Sequence, residues 1–382
     1  MKIQYTTETP RKIRDYSEVE VKLGPNEVED IAEIFSTPLS GTYNWDYTIQ
    51  DNRIAKLYEL GKKLNWNVSL DIDWDRPLVV SDEIPAVFWD EYPPYKQLND
   101  DEKREFFRHR GASQLSQFLH GEQGALNLSA SLCHILKDQG AQEYAANQAR
   151  EEARHVTGFA KYINSRWGKP LPVGQTLGDL LSELVNAPEV YKKIVGMQIL
   201  VEGLAMGAFA TIYQHSYDPV LVKLMQLVMT DEAFHHKFGK IWADKTIPKL
   251  DENEQNIIED WAANCFQILL FNLVNPEQKK IIYDQFGLDW KQVLDELHDI
   301  ITDDDRRERM RESTDIFRVL VKTLFKAGII TDRTKDFYSV YVDLDELKEE
   351  GDRMVGDDIA DEGLEFLKEI NFRDMRRNIA AE

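Results

Sequence analysis

The sequence predicts an all-α protein whose core is a set of long helices. Apolar residues recur every three or four positions over Asp101–Lys326, which is the period of an amphipathic helix. The alternation of apolar and polar residues that is typical of strands is scarce over the same stretch. Turn and capping residues divide it into segments, notably at 137–140, at 217–219 and at Asp251 with Glu254.

The predicted helices follow from this period and from the breakers between them. The apolar period continues without a break for 26 residues or more in the four longest segments, and shorter segments flank them. In order, the predicted helices cover residues 101–136, 141–166, 176–186, 189–215, 218–246, 251–274, 289–301 and 305–327.

The remaining sequence suggests four parts. Residues 1–100 are predicted to form an N-terminal helical cap, in which the tryptophans either pack on the bundle or wall a substrate cavity. Residues 101–246 form the long-helix bundle, and 247–330 add helices to the same domain. Residues 331–382 form an acidic C-terminal extension, with a short strand pair expected at 337–344 and a charged run on a solvated face.

Composition limits the partners and the location. The 382-residue chain has 42% hydrophobic and 30% charged residues, a composition typical of globular proteins. Its formal net charge is −22, and a surface of this charge repels nucleic acids and anionic lipids, so we expect it to bind neither. We expect no signal peptide and no membrane span, since the best candidate, 197–213, is short and carries Glu202. Cys133 and Cys265 lie in apolar stretches, where reduced thiols are typical, so we expect a cytoplasmic protein.

Two Glu-x-x-His pairs occur in the helical region. Three residues of separation place both side chains of a pair on one helix face, but a single pair arises easily by chance and needs structural context. The context is a lone glutamate thirty residues before each pair. Each lone glutamate and its pair form a set of three, and the second set has the same spacing as the first, shifted by eighty residues. The six residues are Glu122, Glu152 and His155, followed by Glu202, Glu232 and His235.

Both lone glutamates lie on apolar helix faces. Burying an ionised carboxylate without a partner costs on the order of several kcal/mol, and lysine and arginine are scarce on these faces. Two metal cations would compensate four such carboxylates. Four carboxylates with two imidazoles form a hard, oxygen-rich ligand set that suits iron or manganese. We therefore predict that all six residues are metal ligands and form the catalytic centre.

The turns indicate that the six residues can meet. Each ligand glutamate lies 12 to 15 residues from the turn of its own helical hairpin, or about 20 Å at 1.5 Å per residue. The four glutamates are therefore expected to lie at the same height along the bundle. The 47 residues between His155 and Glu202 are enough for a crossover that brings the second hairpin against the first.

This arrangement resembles the ferritin-like non-haem di-iron carboxylate superfamily, whose four-helix bundle carries one glutamate on each of two helices and a Glu-x-x-His on each of the others. The segments 151–155 and 231–235 are similar to those of acyl-carrier-protein desaturases and of the hydroxylases of bacterial multicomponent monooxygenases. The resemblance implies that Asp231, and less directly Glu151, orient ligand histidines, and that Arg154 joins the same network. It implies a ferritin-like four-helix bundle with additional flanking helices.

Departures from related families narrow the prediction. Ribonucleotide reductase small subunits keep a radical tyrosine where Phe159 stands, and many di-iron monooxygenases keep a threonine near Ala205 and Met206. Arylamine N-oxygenases of the superfamily use a further ligand histidine where Val228 stands, which argues against that branch. His236 points about 100° away from its ligand neighbour on a helix and is expected to be structural or to support the ligands.

The resemblance implies an enzyme, a dioxygen-dependent di-iron oxidase or oxygenase that hydroxylates, desaturates or otherwise oxidises a small, largely apolar organic substrate. Its cofactor would be two iron ions, or a manganese and iron pair, with O2 as co-substrate. An external electron donor, either a ferredoxin or a reductase, and a homodimer are expected partners. A ferroxidase without an organic substrate and a radical-generating subunit remain alternatives. The cavity would be shaped by Gly121, Ala125, Ala205, Met206 and Phe209.

Overall fold

The computed structural model describes residues 45–79, 93–300 and 316–379, and these residues are helical with no strand among them. The predicted all-α class is confirmed. The described residues also form four short helical turns, Pro93–Lys96, Ile247–Lys249, Pro276–Lys279 and Lys335–Tyr338. The helices are α1 (Asn52–Lys63), α2 (Asp100–Ile135), α3 (Gln139–Trp167), α4 (Gln175–Asn186), α5 (Val190–His215), α6 (Pro219–Thr246), α7 (Glu252–Val274), α8 (Lys280–Gln285), α9 (Trp290–Ile300), α10 (Ile316–Lys326), α11 (Leu344–Glu349) and α12 (Asp357–Ile379).

The bundle consists of two helical hairpins, α2 with α3 and α5 with α6. Capping residues set where these helices begin. Asn99 forms a capping box with Glu102 at the start of α2, Asp138 accepts from Ala141 N at the start of α3, and Asp218 accepts from Val220 N at the start of α6. Helix α3 ends at Gly168, whose φ of 84° lies in the left-handed region that favours glycine. The crossover that follows contains α4, which packs on α2.

Helix α5 is the most apolar of the described helices. Its most apolar window has a mean hydropathy of 1.6, enough by length and composition to cross a bilayer, but 78% of that window is buried inside the protein. This helix contains the candidate segment 197–213 with Glu202, and its burial is that of a central core helix. Residues Ile194–Val201 of α5 are π-helical and lead directly into Glu202. Such π segments occur frequently at functional sites.

The N-terminal segment packs on the bundle. Helix α1 is capped by Asp51 and lies against α3 and α6, and the chain after it buries Trp66 and Ile72. Of the predicted N-terminal cap, residues 1–44 and 80–92 lie outside the described residues. Residues 305–315 of the last predicted bundle-flanking helix also lie outside them.

The strand pair expected at 337–344 is wrong. This stretch begins in a short helical turn, Lys335–Tyr338, and continues through turns to α11. The side chain of Asp343 caps the N-terminus of α11. Tyr338 and Val342 are buried one helical turn apart in the main core, and Tyr338 packs on the ring of Phe266. The apolar residues therefore bury themselves against helices, and no neighbouring strand is described with which they could pair.

The acidic extension is solvated on one face only. Helix α12 packs on α6 and buries Ile359, Leu367 and Ile370 in the same core cluster as α6 residues. The charged residues of α12 lie on the helix face opposite the bundle. Part of the charge run predicted to be solvated therefore belongs to an amphipathic helix that covers the bundle.

A close contact between α5 and α6 predicts a stability effect. A β-carbon on Gly239 of α6 would lie 2.8 Å from Gln198 Cβ and 3.1 Å from the Gln198 carbonyl oxygen of α5. Because the backbone cannot move aside cheaply, we expect Gly239→Ala to lower the free energy of unfolding by about 1–3 kcal/mol. Urea or thermal unfolding measures this loss.

The control is Gly111→Ala in α2, where a β-carbon would meet only Trp167 at 3.9 Å. Replacing a helical glycine at such a place should stabilise the protein by about 0.5–1 kcal/mol. Equal stability of the two variants would contradict the close α5–α6 contact.

Candidate metal centre

The structure brings all six predicted ligand side chains into one buried cluster between the two hairpins. Helix α2 contributes Glu122, α3 contributes Glu152 and His155, α5 contributes Glu202, and α6 contributes Glu232 and His235. His155 Nδ1 lies 3.1 Å from Glu122 Oε2, 3.2 Å from Glu152 Oε2 and 3.0 Å from Glu232 Oε1. His235 Nδ1 lies 3.1 Å from Glu152 Oε1 and 3.0 Å from Glu232 Oε2.

The cluster divides into two overlapping sets of four. One set joins Glu122 and His155 to Glu152 and Glu232, and the other joins Glu202 and His235 to the same two glutamates. In each set one atom from every residue lies within 4.8 Å of the others. Glu152 and Glu232 each direct one carboxylate oxygen to His155 and the other to His235. These two glutamates are therefore placed to bridge two cations, while Glu122 and Glu202 are each placed to bind one.

The Nε2 atom of each histidine is hydrogen-bonded to an acidic residue of the other hairpin. His155 Nε2 donates to Asp231 Oδ2 at 2.9 Å, and His235 Nε2 donates to Glu151 Oε2 at 3.0 Å. With the Nε2 proton fixed in this way, Nδ1 of both rings faces the glutamates and is the atom available to a metal. The acid that precedes each ligand glutamate therefore orients the histidine of the opposite Glu-x-x-His pair.

Asp231 is the centre of a hydrogen-bond network that the sequence showed only in part. Its Oδ2 accepts from Trp66 Nε1 at 2.8 Å and from Arg154 Nη2 at 2.7 Å, in addition to His155. The ring of Trp66 also stacks on that of His155, with centroids 6.2 Å apart, and Arg154 lies over the Trp66 ring and donates to Asn65. The N-terminal segment thus supplies part of the support of the site.

Two further amides lie at the site, one beside Glu151 and one beside the ligand carboxylates. Asn147 Nδ2 donates to Glu151 Oε1 at 3.0 Å. Gln148 Nε2 lies within hydrogen-bond distance of two ligand carboxylates, 3.0 Å from Glu152 Oε1 and 3.3 Å from Glu202 Oε1. Neither amide, nor Trp66, was predicted from the sequence. The available signal for Gln148 was its position one turn before Glu152 on the same helix face.

Burial makes the charges of the cluster interdependent. Burial raises the pKa of Glu122 to about 8, although His155 opposes the rise, and burial together with Glu232 and Glu152 holds the pKa of Glu202 well above its usual value. Burial would lower the pKa of His155, but Glu122 and its other carboxylate neighbours hold it well above the ordinary range. The pKa of His235 is raised in the same way. Protons on these groups thus provide charge compensation in the metal-free protein.

The donor set fits a pair of metal ions. No lysine or arginine of the described residues forms an ion pair with any of the four ligand glutamates, because Arg154 is directed to Asp231 and Glu151. Four buried carboxylates and two imidazole nitrogens with fixed tautomers are the ligands that iron and manganese accept. Two cations in place of the protons would satisfy this set without any other positive charge.

The six predicted ligands differ slightly in their exposed fractions. Glu122 and Glu202 are 5% and 3% exposed, whereas the other four ligand residues are 1% or less. Beside Glu122, a β-carbon on Gly121 would meet no atom within 4 Å. Of the predicted cavity residues, Gly121 and Ala205 are partly exposed, while Ala125, Met206 and Phe209 are buried. Glu122 and Glu202 are therefore the least buried of the six predicted ligands.

Three phenylalanines on the ligand-bearing helices α2, α3 and α5 pack together. The rings of Phe118, Phe159 and Phe209 contact one another, with centroids 5.0 to 6.3 Å apart. These residues lie one turn before Glu122 on α2 and two turns after Glu152 and Glu202 on α3 and α5. The three rings form an apolar group, which we call the phenylalanine wall, one to two helical turns along the helices from the predicted ligands.

Two other positions behave as core residues. Val228 is fully buried in the apolar cluster one turn before Glu232, so no histidine of α6 adds to the ligand set there. His236 contacts the backbone of Gln198, and burial lowers its pKa to about 4. It is a structural histidine.

Comparison with solved structures finds distant similarity to helical oxidases. A tyrosine-to-phenylalanine variant of an R2-like ligand-binding oxidase with an aerobically reconstituted Mn/Fe cofactor is 17% identical, with a TM-score of 0.44, and covers 74% of this chain and 94% of its own. Another variant, with an anaerobically reconstituted Mn/Fe cofactor, is 16% identical with a TM-score of 0.37 and covers 84% and 93%. No curated protein sequence matches the chain. The family assignment rests instead on a family model.

The model of the p-aminobenzoate N-oxygenase AurF family matches residues 48–324. This match spans the whole bundle and most of the flanking helices, and it overturns the inference that Val228 places the chain outside the arylamine N-oxygenase branch. One side chain does not decide membership, and this chain is a member in which a buried valine occupies that position. The prediction of an oxygen-dependent di-metal oxidoreductase that acts on a small organic molecule is confirmed, and the chain belongs to the AurF family.

Proposed function

We propose that the protein oxygenates the nitrogen of a small primary aromatic amine, with two iron ions, or a manganese and iron pair, held by Glu122, Glu152, His155, Glu202, Glu232 and His235. The observation that carries the proposal is the family match over residues 48–324 together with the convergence of all six ligand side chains. The phenylalanine wall supports an aromatic substrate, because stacked or edge-to-face rings are the contacts that aromatic molecules favour.

The bound metal pair supplies the reductive activation of dioxygen, and the protein supplies the positions. Asp231 and Glu151 hold the two imidazoles in one tautomer, so that Nδ1 remains directed at the cluster throughout. Glu152 and Glu232, which belong to both groups of candidate ligands, would contribute to holding both cations, and Glu122 and Glu202 would each contribute to holding one. The phenylalanine wall would exclude water and hold the arene with its amino group toward the six predicted ligands.

Further properties follow as proposals. Electrons must come from outside, so we propose a ferredoxin or a reductase as donor. We propose a homodimer and a cytoplasmic location. Cys133 and Cys265 are free thiols among the described residues, and a reducing compartment suits them.

The first prediction concerns metal content. Glu122→Gln and Glu202→Gln each remove one negative ligand from a different half of the cluster, so each should reduce the iron content of protein loaded anaerobically with Fe2+ from two ions per chain to one or none. Elemental analysis of the desalted protein measures this.

The matched control is Glu259→Gln, which changes a buried glutamate paired with Arg333 outside the cluster. It should retain two ions. Two ions in all three variants would exclude Glu122 and Glu202 as ligands.

The second prediction concerns protons. Because the pKa values of Glu122, Glu202, His155 and His235 are raised, these groups carry protons at pH 7 that metal binding must displace. Anaerobic addition of Fe2+ to weakly buffered protein should release more than one proton per chain, and the affinity should rise between pH 6 and pH 8. A pH indicator measures the release. Binding without proton release, or tighter binding at pH 6, would contradict the charge balance.

The third prediction concerns the reaction. Protein loaded with iron, reduced and exposed to 18O2 with p-aminobenzoate or aniline should yield an N-oxygenated product carrying the label, detected by mass spectrometry, whereas benzoate should not react. Phe209→Ala, which opens the phenylalanine wall, should raise KM about tenfold or more, since Phe→Ala removes about 1.4 kcal/mol or more of contact. Oxygen consumption with no labelled product from any aromatic amine would indicate iron oxidation alone.

A further inference from the structure

A group of buried amides and a phenol lies against the metal centre, apart from the phenylalanine wall. Tyr144, Gln148 and Gln198 are fully buried. The Tyr144 hydroxyl, the Gln148 carbonyl oxygen and both polar atoms of the Gln198 amide have no hydrogen-bond partner among the described residues. We call these three residues the polar wall.

One residue of the polar wall, Gln148, contacts the predicted ligands directly. Gln148 lies one turn before Glu152 on α3, and its amide nitrogen is 3.0 Å from Glu152 Oε1 and 3.3 Å from Glu202 Oε1. Gln198 lies in the π-helical stretch of α5, one turn before Glu202. Tyr144 lies one further turn along α3, where its ring packs on Phe238 at 4.8 Å.

The Tyr144 hydroxyl lies within electrostatic reach of the cluster. Its pKa is held well above the ordinary value first by burial and then by the charges of Glu151, Glu202 and Glu152, while His235 opposes them. The phenol is therefore protonated at neutral pH and can act as a hydrogen-bond donor toward the centre.

The two walls give the site opposite chemical sides. The phenylalanine wall lies after Glu152 and Glu202 along α3 and α5, and the polar wall lies before them. Buried donors and acceptors in native proteins are satisfied, and ordered water is the usual partner where protein groups are not. The polar wall offers uncharged donors and acceptors only, which suits water better than an ion.

We propose that Tyr144, Gln148 and Gln198 line a relay of ordered water that delivers protons to the metal centre. This rests on the proposed function, because N-oxygenation consumes protons: RNH2 + O2 + 2 H+ + 2 electrons gives RNHOH + H2O, with both electrons from the external donor. As Tyr144 passes its proton toward the centre, its oxygen accepts another from water on its far side, so the phenol ends each transfer neutral. Gln148 and Gln198 position the water and carry no charge.

The first test is structural and needs no substrate. A high-resolution crystal structure of the metal-loaded protein should show ordered water within hydrogen-bond distance of the Tyr144 hydroxyl and of the Gln198 amide. In Tyr144→Phe the water next to the ring should be lost or displaced. Density that shows these polar atoms packed directly on protein atoms, with no water between, would overturn the relay.

The second test separates proton delivery from structure. Tyr144→Phe should keep two metal ions and the wild-type unfolding temperature, while single-turnover oxidation of an aromatic amine slows about tenfold and its solvent deuterium isotope effect changes. This slowing is below the 10²–10⁴-fold range of general acid–base groups, since water remains available. The matched control is Tyr338→Phe, a buried tyrosine whose hydroxyl also has no partner within the described ranges, and which packs on Phe266 away from the ligands.

The results distinguish the two proposals. A wild-type rate and isotope effect in Tyr144→Phe would overturn the relay even if amine oxidation is confirmed. If no amine is oxidised, the proposed function fails, and the water structure alone decides whether the polar wall holds a relay.

Discussion

The constraint that shapes this protein is the burial of four carboxylates in one helical bundle. Each carboxylate would cost several kcal/mol if it were ionised without a partner, and the described arginines near the site are directed to the acids behind the histidines instead. The fold therefore leaves room for two cations. The long paired helices, the close contact of Gly239 with Gln198 and the crossover through α4 are the means by which four glutamates from four helices reach one level.

The two hairpins support each other reciprocally. The acid before Glu232 holds the histidine of the first hairpin, and the acid before Glu152 holds the histidine of the second. Neither hairpin can orient its own imidazole, so the ligand set is complete only when both are docked. Trp66 extends this support to the N-terminal segment by donating to Asp231. Folding of the N-terminal segment and geometry of the metal centre are thereby coupled through one carboxylate.

The sequence predicted the helices and the six converging residues because both depend on local spacing. A three-residue separation fixes a helix face, and equal distances from two turns fix a level. Trp66 and Asp231 are 165 residues apart, and no periodicity relates them, so their contact follows only from tertiary packing. The strand pair failed because aromatic residues at 337–341 fit a strand or a helical turn equally well until the packing partner, here Phe266, is known. Val228 misled because one side chain was taken as evidence against the branch, whereas the family match extends over the whole bundle.

The central claim is that the bridging glutamates lie between two metal ions. X-ray diffraction at the iron absorption edge, on crystals of the iron-loaded protein, measures it most directly. The account predicts two anomalous peaks per chain, one beside His155 and Glu122 and one beside His235 and Glu202, with Glu152 and Glu232 between them. A single peak, or peaks away from these six side chains, would contradict it.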